Sequence, residues 1–154
     1  MGVGKTTTSR LLCDILDKSV FLDGDWCWDS HPFQVTEETK AMVMENICFL
    51  LNSFLHCTAY ENVVFCWVMH QQAILDSIVS RLDTQNVRLL PVSLIASEEA
   101  LRARLERDVA AGIRSADIIE RSLARIPLYA GLDTIKLDVS AITAAEAAQR
   151  LARL

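Results

Sequence analysis

Apolar residues recur along this chain in two patterns, one typical of helices and one typical of buried strands. Between Lys5 and about Asp17 they stand three and four positions apart, which predicts an amphipathic helix. The run NVVFCWVM at 62–69 is continuously apolar and rich in β-branched and aromatic residues, as in a strand buried on both faces. The same patterns predict further helices at about 37–55, 72–82, 98–111, 116–125 and 141–154, and further strands at 19–22, 87–96 and 134–140.

Strands and helices therefore alternate, which predicts an α/β fold with a parallel sheet between two layers of helices. We expect residues 1–154 to form a single domain. No strand precedes the first helix, although the first strand of such a fold is central in its sheet. The sheet is therefore expected to expose two strand edges.

Composition narrows the function classes. The net charge of −5 argues against a nucleic-acid partner, because binding a phosphate backbone requires a basic surface. The five cysteines show no C-x-x-C spacing and are interpreted as reduced thiols. The apolar runs are shorter than the ~20 residues that span a bilayer, so we expect no membrane segment and a cytoplasmic location.

The first residues, MGVGKTT, contain most of a phosphate-binding loop, G-x-x-x-x-G-K-[ST]. Residues 1–6 fill six of its eight positions, with Gly2 and Gly4 allowing backbone N–H groups to converge on a phosphate. Lys5 would reach the β- and γ-phosphates, and the Thr6 hydroxyl would bind Mg²⁺. Thr7 is close enough along the chain to touch an α-phosphate. The alternative is an accidental match at a flexible terminus.

The incomplete loop predicts that the biological chain begins roughly ten or more residues upstream. Such a start would supply the missing strand and the first glycine of the loop. In its absence, unpaired strand edges favour association, so an oligomer is compatible with the sequence.

A second candidate site is the acidic loop DGDWCWDSHPF, residues 23–33, which follows a predicted strand. Acids at the carboxyl end of a parallel strand face the ligand-binding crevice. Asp25 is predicted to orient and deprotonate an acceptor hydroxyl and to take part in Mg²⁺ binding, with Asp23 as the supporting carboxylate. The alternative is that D-G-D is only a turn.

Aromatic and histidine side chains near this loop are candidates for substrate binding. Trp26 belongs to an aromatic cluster that either stacks on a flat substrate or plugs the space under the loop. His31 and His70 are each either substrate-contacting groups or structural histidines. No acid follows the strand that ends near His70, where many P-loop proteins carry one.

An arginine-rich segment suggests a lid at about 107–125. A mobile arginine can neutralise charge on a transferring phosphoryl group while excluding water. Arg114 is predicted to do so, with Gly112 as a hinge between two helices, whereas Arg107 is either a second lid residue or part of a solvated helix face. Four further arginines in or just before this segment are assigned to solvated helix faces: Arg102, Arg104, Arg121 and Arg125.

With these features in order, the sequence resembles the small-molecule P-loop kinases, the shikimate, gluconate and chloramphenicol phosphotransferase group within the nucleoside-monophosphate-kinase-like fold. The resemblance rests on GVGKTT, DGD…HP and LERDVAAGIR…LDTIKLDVS. Related nucleotide kinases and AAA-type ATPases look similar overall. The resemblance implies ATP as donor and a hydroxyl acceptor. It also implies that backbone around Val139 lies near the adenine, with Arg107 flanking it.

The leading hypothesis is an ATP- and Mg²⁺-dependent kinase of a small hydroxylated molecule or nucleotide. One alternative is an ATPase whose acidic loop positions water. Another is a degenerate nucleotide-binding protein without catalysis.

Overall fold

The computed structural model describes all residues from Met1 to Leu154. Six α-helices are present: α1 Lys5–Ile15, α2 Glu37–Leu55, α3 Gln72–Val79, α4 Glu98–Ala110, α5 Ile118–Leu123 and α6 Ala144–Leu151. Four strands alternate with them: β1 Ser19–Asp23, β2 Asn62–Cys66, β3 Val92–Ile95 and β4 Ile135–Asp138. Short 3₁₀ helices occupy Gly24–Trp28 and Ile126–Tyr129. The alternation of strands and helices predicted from the sequence is confirmed.

The strands form two parallel pairs. β1 pairs with β2, with Ser19 opposite Asn62 and Asp23 opposite Cys66. β3 pairs with β4, with Val92 opposite Ile135. No ladder joins the two pairs, so β2 and β3 each keep one unpaired edge, as expected for a sheet without its central strand.

Three strands are shorter than predicted, and for β3 and β2 the reasons are local. β3 begins at Val92 because Pro91 has no N–H to donate to a ladder. Its carbonyl still accepts a bond from the Ile135 amide at 2.9 Å. β2 ends at Cys66, so the apolar residues that follow it leave the sheet and approach the acidic loop.

Side-chain caps fix three helix starts. Thr36 accepts from the Thr39 amide in a capping box, and Ser97 accepts from the Ala100 amide. Thr143 and Glu146 form a further capping box at α6, which begins three residues later than predicted.

The apolar core lies in two clusters. The larger one surrounds the fully buried Ile47 of α2 and also contains Leu22 of β1. The smaller one joins α4 to α5 through Leu105 and Ile118, and Val3 packs against it. The second cluster thus supports the phosphate-loop segment. No helix combines the length and the apolar character needed to cross a bilayer.

The end of α4 is a glycine cap. Gly112 has φ +69°, a left-handed conformation that glycine adopts without steric cost. The amide of Ile113 donates to the Asp108 carbonyl at 2.9 Å, and that of Gly112 donates to Val109 at 2.9 Å. This pair of bonds is a Schellman motif, which fixes the direction of the chain leaving α4. α5 then starts at Ile118, two residues later than predicted.

Candidate functional site

The phosphate-loop segment places a bare helix N-terminus at the centre of the site. Gly4 is the N-cap of α1 with φ +89° and makes no side-chain cap. The first helical bond runs from the Thr8 amide to the Gly4 carbonyl at 2.9 Å. The amides of Lys5, Thr6 and Thr7 therefore have no partner within the helix. Unpaired N–H groups and the helix dipole together favour an anion here.

Position 2 requires glycine for two reasons, a close contact with a neighbouring side chain and a left-handed backbone conformation. A Cβ on Gly2 would lie 2.6 Å from Cδ2 of Leu105, and φ is +80°. Because Leu105 is fully buried in α4, it cannot move aside easily. The loop is therefore seated directly on the helix that carries the arginines.

Lys5 lies in a desolvated part of the loop. Burial lowers the pKa of Lys5, and the nearby Arg114 lowers it further. The carboxylates of Asp23 and Asp25 act in the opposite direction on this pKa. A phosphate bound beside Lys5 would favour the charged form of the lysine.

Asp23 is the most buried acid of the site, with 4% of its surface exposed. The Thr6 hydroxyl donates to its Oδ2 at 2.6 Å, and the Asp25 amide donates to its Oδ1 at 3.1 Å. Hydrogen bonds to a charged group stabilise by about 1.5–3 kcal/mol each. Asp23 thus joins the phosphate loop to the acidic loop through its two oxygens.

The oxygen donors present suit a magnesium ion. Mg²⁺ takes hard oxygen ligands, keeps several waters, and is usually held by one or two carboxylates together with substrate phosphates. The Thr6 hydroxyl and the Asp23 carboxylate lie together and match that donor set. No group of three or more His, Cys, Asp or Glu side chains forms a ready-made metal cage. Asp25, the predicted metal-binding acid, lies next to this pair.

Asp25 has a partner that sequence reasoning missed. The indole Nε1–H of Trp67 donates to Asp25 Oδ1 at 3.1 Å. The intervening Gly24 lies so close to this ring that a Cβ there would be 2.5 Å from Trp67 Cγ. The signal available in the sequence was the position of Trp67, directly after Cys66 at the end of a buried strand.

The opposite wall of the site carries cations. The Arg114 Nε–H donates to Asp108 Oδ2 at 3.0 Å, and both side chains are about one third exposed at 36% and 34%. Arg102 and Arg121 instead pair with Glu98 and Asp117 four residues earlier on exposed helix faces, which confirms their surface assignment.

Arg104 does not lie on a solvated face, so that expectation is wrong. Its guanidinium is partly buried and donates to the carbonyls of Val139 and Ser140, directly after β4. The Ser140 hydroxyl in turn accepts from the Ser97 amide at 2.7 Å. The Arg104 side chain is therefore engaged in a tertiary contact, which its spacing along the helix could not predict.

Two adjoining cavities contain most of the predicted site residues. The larger, about 420 Å³, holds the phosphate-loop residues together with Asp23, Asp25 and Arg114. The smaller, about 300 Å³, extends past the loop toward Val139 and the start of α6. Both cavities are lined by Gly2, Gly4, Thr7, Arg104 and Arg107.

Three predicted substrate-binding residues do not line these cavities. Trp26 is 52% exposed and lies under the Arg10 guanidinium, 5.7 Å from its ring centroid. His31 is exposed. His70 has a buried Nδ1 without a hydrogen-bond partner, and burial, followed by the charge of Arg125, lowers its pKa. Trp28, another aromatic residue of the acidic loop, packs against the larger core.

The fold is that of the P-loop kinase-like proteins. The structure is similar to the tunicamycin resistance protein of Deinococcus radiodurans, with a TM-score of 0.75 and 19% identity, covering 99% of this chain and 88% of that chain. It is also similar to a gluconokinase from Sinorhizobium meliloti 1021, with a TM-score of 0.66 and 20% identity, covering 99% and 89%. At these identities the likeness concerns the fold.

The chain belongs to the AAA domain family, whose model matches residues 1–123. No curated protein matches it significantly. The predicted kinase-like resemblance and the α/β P-loop fold class are therefore confirmed.

Proposed function

We propose that the protein transfers the γ-phosphoryl group of ATP to a hydroxyl group of a small molecule or nucleotide. The observation that carries this proposal is the convergence of Lys5, Asp25 and Arg114 around one cavity beside a bare helix N-terminus. A nucleotide-binding module would need the loop and Lys5, but it would not need the facing carboxylate and arginine.

In this proposal the β- and γ-phosphates lie against the amides of the phosphate loop and the Lys5 ammonium group. The smaller cavity takes the base and ribose, between Arg107 and the backbone at Val139. Thr6 and Asp23 would hold Mg²⁺, and Asp25 would stand close enough to assist. When bound, the ion neutralises charge on the β- and γ-phosphate oxygens.

Asp25 accepts the proton of the attacking hydroxyl. The acceptor oxygen then bonds to the γ-phosphorus as the bond from that phosphorus to the β–γ bridging oxygen breaks, and ADP leaves. Arg114 stabilises the negative charge spread over the transferring oxygens. His70, Trp26 and His31 would contact the acceptor only in a rearranged site, because they lie outside the cavities.

The test combines binding and transfer. Calorimetry with ATP·Mg²⁺ should detect binding by the wild-type chain and much weaker binding by Lys5→Ala. Phosphorus NMR should then detect transfer to a member of a panel of sugars and nucleosides that includes gluconate and tunicamycin, the compounds to which the names of the structural neighbours refer. Hydrolysis of ATP that no acceptor accelerates would instead support an ATPase. An absence of binding would overturn the proposal.

A further inference from the structure

We infer that Trp67 is a positioning residue for Asp25 and determines which carboxylate oxygen is presented to the acceptor. This inference rests on the proposed function, since Asp25 is the proposed proton acceptor. Trp67 was not among the residues that the sequence suggested for the site.

The indole is held on two sides. Its ring packs against the larger hydrophobic core, which contains Leu22 of β1 and Ile47 of α2. Its other neighbour is the backbone at Gly24, where a Cβ would come within 2.5 Å of Trp67 Cγ and 2.6 Å of Cδ1. The acidic loop is therefore stacked directly on the indole. Gly24 does not have a positive φ. The close approach of the indole, and not the backbone conformation, therefore explains why this position has no side chain.

The contact leaves the two oxygens of Asp25 with different roles. Oδ1 accepts the indole Nε1–H at 3.1 Å, while no protein donor bonds Oδ2. The Asp25 amide is tied to Asp23 Oδ1 at 3.1 Å, so the backbone of the residue is fixed as well. A carboxylate held at its backbone and at one oxygen can rotate little, which preorganises the other oxygen toward the cavity.

Removing the indole N–H while keeping a ring tests this role. We expect Trp67→Phe to lower kcat by about 10- to 100-fold with KM for ATP within about twofold, because a charge-assisted hydrogen bond is lost on the acceptor side only. Trp28→Phe is the matched control. It also removes an indole N–H next to the core, but that N–H has no partner in the protein. It should leave kcat nearly unchanged.

A spectroscopic measurement separates this inference from the proposed function. In a ¹⁵N correlation spectrum the three tryptophans give three indole signals, and Trp67→Phe identifies its own. Asp25→Asn should shift the Trp67 signal and leave that of Trp28 in place. An unmoved Trp67 signal overturns the inference, and so does a Trp67→Phe variant with wild-type kcat. A wild-type chain that transfers no phosphoryl group overturns the proposed function. In that case the indole signal still tests whether Trp67 bonds to Asp25.

Discussion

The two walls of the cleft are built in different ways. On the β1–β2 side, Asp23 is almost fully buried and both of its oxygens are bonded to protein donors. On the α4 side, Arg114 is about one third exposed and reaches the cleft from beyond a glycine cap. The end of β1 fixes the buried Asp23, which in turn holds the amide of the exposed Asp25, whereas one ion pair and one turn hold the arginine.

In the proposed mechanism, this difference corresponds to a division of work between the two walls. The acid wall has the precision that proton transfer requires, because a hydroxyl must meet a carboxylate within hydrogen-bond distance. The arginine wall supplies charge, whose effect decreases more gradually with distance. Loss of the Asp25 carboxylate should therefore slow transfer more than loss of the Arg114 guanidinium.

The largest effect is expected from Asp25→Asn. The amide cannot accept the proton, so transfer should fall by about 10²- to 10⁴-fold while ATP affinity stays within about twofold. Steady-state kinetics and calorimetry measure the two quantities. Asp29→Asn, an exposed acid of the same loop, is the control and should behave as wild type. Normal turnover by Asp25→Asn would make the assignment of this wall wrong.

A smaller effect is expected from Arg114→Ala. Losing one preorganised charge should lower kcat by about 10²- to 10³-fold, and Arg114→Lys should recover part of it because it restores charge without the fork geometry. Single-turnover kinetics at saturating ATP give the value. Arg121→Ala removes an exposed helix-surface arginine instead and should change nothing. Equal rates for the two alanine variants would remove Arg114 from the mechanism.

The smallest expected effect is the pH dependence of stability and of ATP affinity that arises from Lys5. Because burial lowers the pKa of Lys5 from 10.5, the folded chain releases this proton before the unfolded chain does. Between the lowered pKa and 10.5 the unfolded chain binds more protons, so the stability of the ligand-free protein should rise with pH.

ATP binding should respond in the opposite direction. Phosphates favour the charged lysine, so ATP affinity should fall as the pH rises through the same window, by at most about tenfold per unit. Calorimetry across this range tests the slope, and Lys5→Met should flatten it. Lys40→Met, which changes an exposed lysine on α2, should keep the wild-type slope. A steep slope that persists in Lys5→Met would assign the titration to another group.

The parts of the site that the sequence predicted are local in the chain. Gly4, Lys5 and Thr6 are adjacent, so the phosphate loop could be recognised from spacing alone. The Trp67–Asp25 contact spans 42 residues, and Arg104 reaches Val139 across 35. Neither contact has a periodicity that the sequence displays. Both depend on how the strand pairs and α4 pack, which no local pattern encodes.

The two oxygens of Asp23 have a consequence for substrate order. One accepts from Thr6 at the proposed nucleotide site, and the other holds the amide of Asp25 at the proposed acceptor site. A Mg²⁺·nucleotide held by Thr6 and Asp23 would draw on the same carboxylate that holds the Asp25 amide, and would thereby change the support of the acceptor loop. We therefore expect the two substrates to bind with thermodynamic coupling. Because such coupling is reciprocal, the acceptor should alter the affinity for ATP by the same factor.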